Sequence, residues 1–280
     1  MNILLLTTGI LKGDAIPSLD RLLGSLDRAI KLLPGDNVSL ILLVQNCPAD
    51  ALPRLSAGWP SFVAPISIPN IISLSAARNM LLREAERSGD LKAAEVIAYP
   101  DDDCWYPAET LRTIAGRFRV SEDLDFLFCR YASTPALAGT EAGAIVSARA
   151  RHVVRNASSN TIFFRGDVVR AIGGFDEMLG VGTPNNGGED VEYALRAYLQ
   201  ARRTEFVDAE IVGHRDRDSS LRAKYYRGAL LAIRRHALQD TGVAWEYVRK
   251  VAVGLVLMLR GEVRLGEFIS SNLAVSVRSQ

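Results

Sequence analysis

The sequence is short of the residues that staple small folds or bind soft metals. It has three cysteines, Cys47, Cys104 and Cys129, set far apart, and three histidines. No zinc-type spacing and no even cysteine framework can be drawn from them, so they read as reduced thiols of a cytosolic protein. Charge of one sign is also lacking. Thirty-three Lys and Arg face 32 Asp and Glu, a net +1, which removes the case for nucleic acid as a main partner. No apolar run approaches the roughly 18 residues that cross a bilayer. The chain enters Ile3-Leu4-Leu5-Leu6 without a basic leader, so no signal peptide is expected. Internal repeats and low-complexity tracts are missing too. What remains is 280 residues, 48% hydrophobic and 23% charged, enough for one large domain or a domain with an appendage.

Strands and helices alternate along most of the chain. Ile3 to Thr7 reads as a first strand, and Leu19, Leu22, Leu23, Leu26, Ile30 and Leu33 keep the spacing of one helical face. Val38 to Val44 is almost continuously apolar, as in strands covered on both faces. Gln45-Asn46 closes it. Phe62 to Ile68 is a shorter strand, followed by a helix from Leu74 to about Ser88, and Val96 to Tyr99 is a further buried strand. A helix through Leu111 and Phe118, a strand from Leu124 to Cys129, and a strand over Thr161 to Arg165 follow. Between Tyr131 and Ser158 no periodicity places an element. Met178 to Gly188 is rich in Gly, Pro and Asn and predicts a mobile, exposed loop. A helix opens at Glu189, a last strand runs from Phe206 to Val212, and only helices follow, near Ser220–Ala237, Val243–Arg260 and Leu265–Leu273. This is the pattern of a doubly wound α/β fold.

Asp101-Asp102-Asp103 ends the Val96 strand, at the sheet edge where open α/β folds bind ligands. On extended backbone Asp101 and Asp103 project to one side. Packed carboxylates need a cation or a proton, and hard oxygen donors suit Mg²⁺ or Mn²⁺. A soft Cys104 thiolate does not. The plainer reading is an acidic turn ahead of a helix begun by Pro107. Arg78 and Asn79, near the start of their helix, are candidates to hold an anion or a base edge. Glu189-Asp190 at a helix start can serve as a simple dipole complement.

Four stretches together carry more than each alone: Ser75-Ala76-Ala77-Arg78-Asn79, Asp101-Asp102-Asp103 with Trp105 and Pro107, Gly173-Gly174-Phe175-Asp176-Glu177, and Gly187-Gly188-Glu189-Asp190. In this order they resemble the family 2 inverting nucleotide-sugar glycosyltransferases, whose fold is called GT-A. The resemblance spans roughly residues 1 to 217. It implies a Rossmann-like, mostly parallel sheet with helices on both faces, here with a helical extension over 218 to 280. It implies a nucleoside-diphosphate sugar as donor, a saccharide or lipid-linked saccharide as acceptor, and Mg²⁺ or Mn²⁺ as cofactor. Asp101 and Asp103 match the metal-binding pair, with Asp103 the direct ligand and Asp102 able to align in Asp101's place. His214, after the last strand, matches a further metal or diphosphate ligand. Asp190 matches the catalytic base, and Glu189 is its acidic neighbour. Thr7, Gln45, Asn46, Arg78, Asp101, Asp102 and Arg215 fall at the nucleotide-binding positions. Gln45-Asn46 stands where the family often has an acid that grips the base, so a donor other than a uridine nucleotide stays open. Arg217 and Arg222 join Arg215 as cations that could close over the diphosphate, and the glycine-rich loop would suit a lid.

The C-terminal helices are basic on balance, and Val251 to Leu259 is apolar apart from Gly254. Such a segment can lie on an anionic membrane or pack against the domain or a dimer mate. The expected setting is the cytoplasm, with packing of these helices against the domain or a dimer mate weighed slightly above peripheral contact with the inner face of the membrane. Rival readings are an inactive nucleotide-binding scaffold of the same fold, a cyclic-dinucleotide synthase and a phosphohydrolase. The synthase carries its Gly-Gly-Glu motif in a hairpin, and the phosphohydrolase needs an early nucleophilic aspartate where Thr7-Thr8 stands.

Overall fold

Apolar runs of the expected kind pair into one sheet. The computed structural model describes residues 1–135, 143–216, 223–266 and 268–269. Strand β1 (Asn2–Ile10) lies parallel to β2 (Asn37–Gln45) along its whole length, and β2 is parallel to β3 (Val63–Ile68). On its other side β1 is parallel to β4 (Val96–Ala98). Then come β5 (Leu124–Ala132), β6 (Ile145–Ser147), β7 (Ile162–Arg165) and β8 (Arg203–Gly213). The eight strands run β3-β2-β1-β4-β7-β5-β8-β6. Strand β7 is antiparallel to β4 and β5, and β6 is antiparallel to β8.

Both faces are covered, as continuous hydrophobic strands require. Successive residues of β1 point to opposite sides. Leu5 packs with Leu22 and Leu26 of α1 (Leu19–Ile30) and with Ile114 and Phe118 of α5 (Thr110–Val120). Leu4 and Leu6 pack with Ala77 and Leu81 of α3 (Leu74–Ser88), Val169 of α7 (Gly166–Ile172) and Tyr193 of α8 (Glu189–Gln200). The short helices α2 (Leu52–Ser56) and α4 (Asp90–Ala93) fill the intervening connections, and α6 (Ala150–Asn156) sits beside α8.

Two long helices follow the sheet. Helix α9 (Tyr226–His236) packs on α8 through Leu231 and Ala232, which meet Leu179 and Val191. Helix α10 (Thr241–Leu259) packs on α9 and α6. Buried Glu192 of α8 pairs with Arg196 and with His236 of α9, and Arg235 pairs with Asp176. Among the described residues no helix is long and apolar enough to cross a membrane.

Several expectations change. The aperiodic region from Tyr131 to Ser158 holds β6 and α6. Their burial patterns are weak because β6 is a short edge strand, and in α6 only Ala150 and Val153 are buried. The Met178–Gly188 loop is packed, not exposed throughout: Leu179, Gly180, Asn185 and Gly187 are buried. Its glycines answer to geometry. Gly188 has φ +86, and a Cβ there would lie 2.3 Å from the Gly228 carbonyl oxygen on α9. Residues 217–222, with Arg217, Arg222 and the expected start of the Ser220 helix, lie outside the described residues, as does most of the Leu265–Leu273 helix.

Candidate active site

The aspartates sit on a turn rather than on strand backbone. Strand β4 ends at Ala98, ahead of Pro100, and the Cys104 N–H donates to the Asp101 carbonyl at 3.1 Å. The alternation argued from an extended strand therefore does not apply. A turn brings Asp101 and Asp103 together instead. The Thr7 hydroxyl donates to the Pro100 carbonyl at 2.9 Å, tying the turn to the end of β1. Arg21 of α1 donates to the Asp103 carbonyl at 2.6 Å and lies over the Trp105 ring.

Trp105 in turn delivers the histidine. Its backbone exchanges hydrogen bonds with Gly213 at 2.9 and 2.8 Å, and a Cβ on Gly213 would stand 2.0 Å from the indole. Only a glycine permits that approach. The next residue, His214, places Nε2 3.0 Å from Asp103 Oδ1, while Nδ1 lies 2.9 Å from the Arg215 carbonyl. Arg215 reaches Asp103 Oδ2 at 3.4 Å from an exposed position.

Ligand atoms of Asp101, Asp103 and His214 lie within 4.8 Å of one another. The donor set fits a divalent cation. With the Nδ1 proton given to the Arg215 carbonyl, Nε2 faces a carboxylate and needs either a second proton or a metal. Two carboxylates and an imidazole, with room for water and phosphate oxygens, suit Mn²⁺ or Mg²⁺. Asp102 is not in this group. Its carboxylate lies on the Gly9 side, and burial, reinforced by Asp103 and Asp101, pushes it up to about 7. The His214 hydrogen bond holds Asp103 below the usual carboxylate range despite burial.

Asp190, at the start of α8, joins the same cluster. Arg78, 3% exposed on α3, donates to Asp190 Oδ1 at 2.5 Å and to Asp101 Oδ1 at 3.4 Å, and lies 4.0 Å from Glu189. Ser159 repeats the link: its N–H donates to Asp190 at 3.1 Å and its hydroxyl to Asp101 at 2.7 Å. Asp103 and Asp190 are thus linked through Asp101. Burial pushes Asp101 up, Asp190 adds to this, and Arg78 partly offsets it. Glu189 is buried and pushed up to about 7, first by burial and then by Asp190. Burial pulls Arg78 down, but the three carboxylates more than restore it.

The motif stretches hold one another. Asn79 does not face a ligand: its amide spans the Phe175 backbone, accepting at 2.6 Å and donating at 2.9 Å. The Ser75 hydroxyl donates to the Leu179 carbonyl at 2.6 Å. Phe175 lies against Arg78 and stacks on Tyr193 at 3.9 Å. Gln45 is buried, donating to Thr8 and accepting from the Ile72 N–H. Asn46 adopts φ 57 and donates to the Leu11 carbonyl. The side chains of Thr7, Gln45 and Asn46 are therefore occupied in shaping the carboxyl ends of β1 and β2. Ser159, Arg21 and Phe175 were not expected as site residues. The signal for Ser159 was a polar Ser158-Ser159-Asn160-Thr161 run set directly before an apolar strand.

Sheet, covering helices and an acidic turn at the carboxyl edge make this a GT-A-type fold. Among solved structures it is similar to S. aureus TarS residues 1–349 in complex with UDP-GlcNAc. The TM-score is 0.67 at 17% identity, over 97% of this chain and 79% of that one. The TarS 1–349 complex with UDP gives 0.64 at 17% identity, over 97% and 81%. A longer S. aureus TarS structure gives 0.57 at 14% identity, with 83% of this chain matching 40% of that one. No protein-family model matches the chain, and no curated protein matches it in sequence. At such identities the likeness establishes the fold.

Proposed function

We propose that the protein is an inverting glycosyltransferase of the family 2 type, moving a sugar from a nucleoside-diphosphate donor to a hydroxyl of a saccharide or lipid-linked saccharide in surface polysaccharide or glycolipid assembly. One observation carries the reading: a three-donor cation site and a carboxylate at a helix start meet in one cluster, with Asp101 shared between them. Residues 1–217 form the catalytic part in this reading, and 218–280 the helical extension. The buried, unpaired cysteines agree with a site of action inside the cell.

Asp101, Asp103 and His214 would hold Mg²⁺ or Mn²⁺, which supplies positive charge for a departing diphosphate. Asp103 lies against His214 and Arg215, and the His214 hydrogen bond holds it below the usual carboxylate range. Arg215, exposed beside it, can reach a phosphate oxygen. Asp190 takes the proton of the acceptor hydroxyl as that oxygen attacks the anomeric carbon. Arg78 and the Ser159 N–H fix the orientation of its carboxylate at the start of α8. Attack opposite the leaving diphosphate inverts the anomeric centre through an oxocarbenium-like transition state. The UDP and UDP-GlcNAc complexes of TarS make a uridine donor the first to try.

The test is calorimetric titration with UDP, dTDP, GDP and CDP, with and without Mn²⁺, followed by transfer from the labelled sugar of the nucleotide that binds. One nucleotide should bind more tightly with metal, and Asp103→Asn should abolish that gain. Asp190→Asn should keep donor binding and lose transfer. Absence of any metal-enhanced nucleotide binding would overturn the reading.

A further inference from the structure

Helix α10 is apolar on two sides. One side is spent: Val243, Gly254 and Leu257 are buried. On the other, Trp245, Val248, Ala252, Leu255, Val256 and Leu259 fall within an arc of roughly 100°, taking 100° per residue. All six are exposed, Trp245 by 68% and Leu259 by 82%. Single exposed apolar residues need no explanation, but an unbroken stripe over the length of a helix marks contact with a second apolar phase.

Cations frame this stripe at both ends. At the Trp245 end, exposed Arg149 and Arg151 at the start of α6 share with Trp245 a groove of about 250 Å³. Arg155 and Arg249 both close on buried Glu246, leaving that trio net positive. At the Leu259 end stand exposed Arg260 and Arg264, with Glu262 the exposed acid between them. Asp240 is engaged as the α10 cap, accepting from the Val243 N–H at 2.9 Å. A twofold pairing of two such helices would set one positive end against another, an unfavourable match. An anionic lipid surface is complementary to both ends at once.

We propose that α10 lies in the plane of an anionic bilayer, with its exposed stripe at the headgroup–acyl boundary and the flanking arginines on lipid phosphates. With Glu246, Arg249 and Lys250 along it the helix is not apolar enough to span, so it docks along the surface. Trp245 takes the position typical of interfacial aromatics. Helix α9, on which α10 packs, abuts the Gly187–Gly188 backbone directly before Glu189-Asp190. Docking through α10 thereby holds the acidic cluster at a set distance from the lipid surface. This proposal does not depend on the transfer reaction, and its test reads lipid binding alone.

The full chain is mixed with vesicles of phosphatidylcholine, with or without phosphatidylglycerol, and followed by co-sedimentation and tryptophan emission. Binding should require phosphatidylglycerol and weaken with salt. Trp245→Phe should keep binding and remove most of the emission shift. Trp245→Glu and Leu259→Glu should each weaken partitioning by roughly tenfold or more. Arg149→Gln with Arg151→Gln should cost roughly fivefold per charge removed. Thermal unfolding should show these variants folded. No binding by the wild type, or binding that the variants leave unchanged, overturns the proposal. A dimer seen by light scattering and dissolved by Leu259→Glu, without vesicle binding, gives the stripe to a second copy and overturns it as well. Vesicle binding that appears only after deletion of residues 270–280 would assign the stripe to that segment, and the proposal would fall in that case too.

Discussion

Removing Arg78 tests the logic of the site most directly. Its guanidinium, 3% exposed, faces Asp190 at 2.5 Å, Asp101 at 3.4 Å and Glu189 at 4.0 Å. At an effective dielectric near 20, one such pair at about 4 Å is worth about 4 kcal/mol, so the two aspartate attractions come to roughly 8 kcal/mol before costs, Glu189 holding its proton up to about pH 7. Desolvation of the buried ions, at several kcal/mol each, and repulsion among the carboxylates consume most of that. Arg78→Met deletes the attractions and leaves the carboxylates behind, so a net loss of about 3 to 5 kcal/mol is expected in EDTA. A divalent cation held by Asp101, Asp103 and His214 replaces part of the missing charge. Mn²⁺ should therefore recover more stability in Arg78→Met than in the wild type, in proportion to how tightly it binds. The assay is urea unfolding followed by circular dichroism, run with EDTA and with Mn²⁺. A cycle with Asp190→Asn should show a coupling of about 1 to 3 kcal/mol. A loss under about 1 kcal/mol in EDTA, or a cycle without coupling, would refute the claim that Arg78 is the counter-charge joining the two carboxylate sets.

Two further outcomes follow from the packing. Gly188→Ala meets φ +86 and a carbonyl oxygen at 2.3 Å, and Gly228→Ala would place a Cβ 2.0 Å from the Gly187 carbonyl oxygen. Each should cost about 2 to 4 kcal/mol in denaturant unfolding, and should lower transfer more than donor affinity because the Asp190 backbone shifts. Glu189 concerns pH. Its carboxyl is raised from an ordinary 4.5 to about 7, so the folded state holds a proton that the unfolded chain releases. The stability it contributes is full below pH 4.5 and is lost as pH rises through 7, up to about 3 kcal/mol. Glu189→Gln should flatten that decline, and an unchanged pH profile of unfolding would show that the proton is held elsewhere.

Much of the arrangement could be read before any coordinates. The run Val38 to Val44 reads as a strand covered on both faces, and Leu19, Leu22, Leu23 and Leu26 as one side of a helix, and the apolar residues of both are buried that way. The four motif stretches also converge as a set. Their partners were less legible. Asn79 and Gln45 are polar residues at a ligand-binding edge, yet both are consumed by backbone groups of neighbouring loops. Ser159 sits in a stretch without periodicity, since a turn that serves two carboxylates has no repeating face to show.

Local pattern, then, determined most of the strands, most of the helices and the acidic helix start, because hydrophobic spacing and capping chemistry act over a few residues. Tertiary structure alone decided that Asp101 stands between the cation site and Asp190, that the glycine-rich loop is packed by α9, and that α10 keeps one apolar side bare. Each of those rests on contacts between segments distant in the chain, where the match of shape and charge is settled by how the sheet brings its carboxyl ends together.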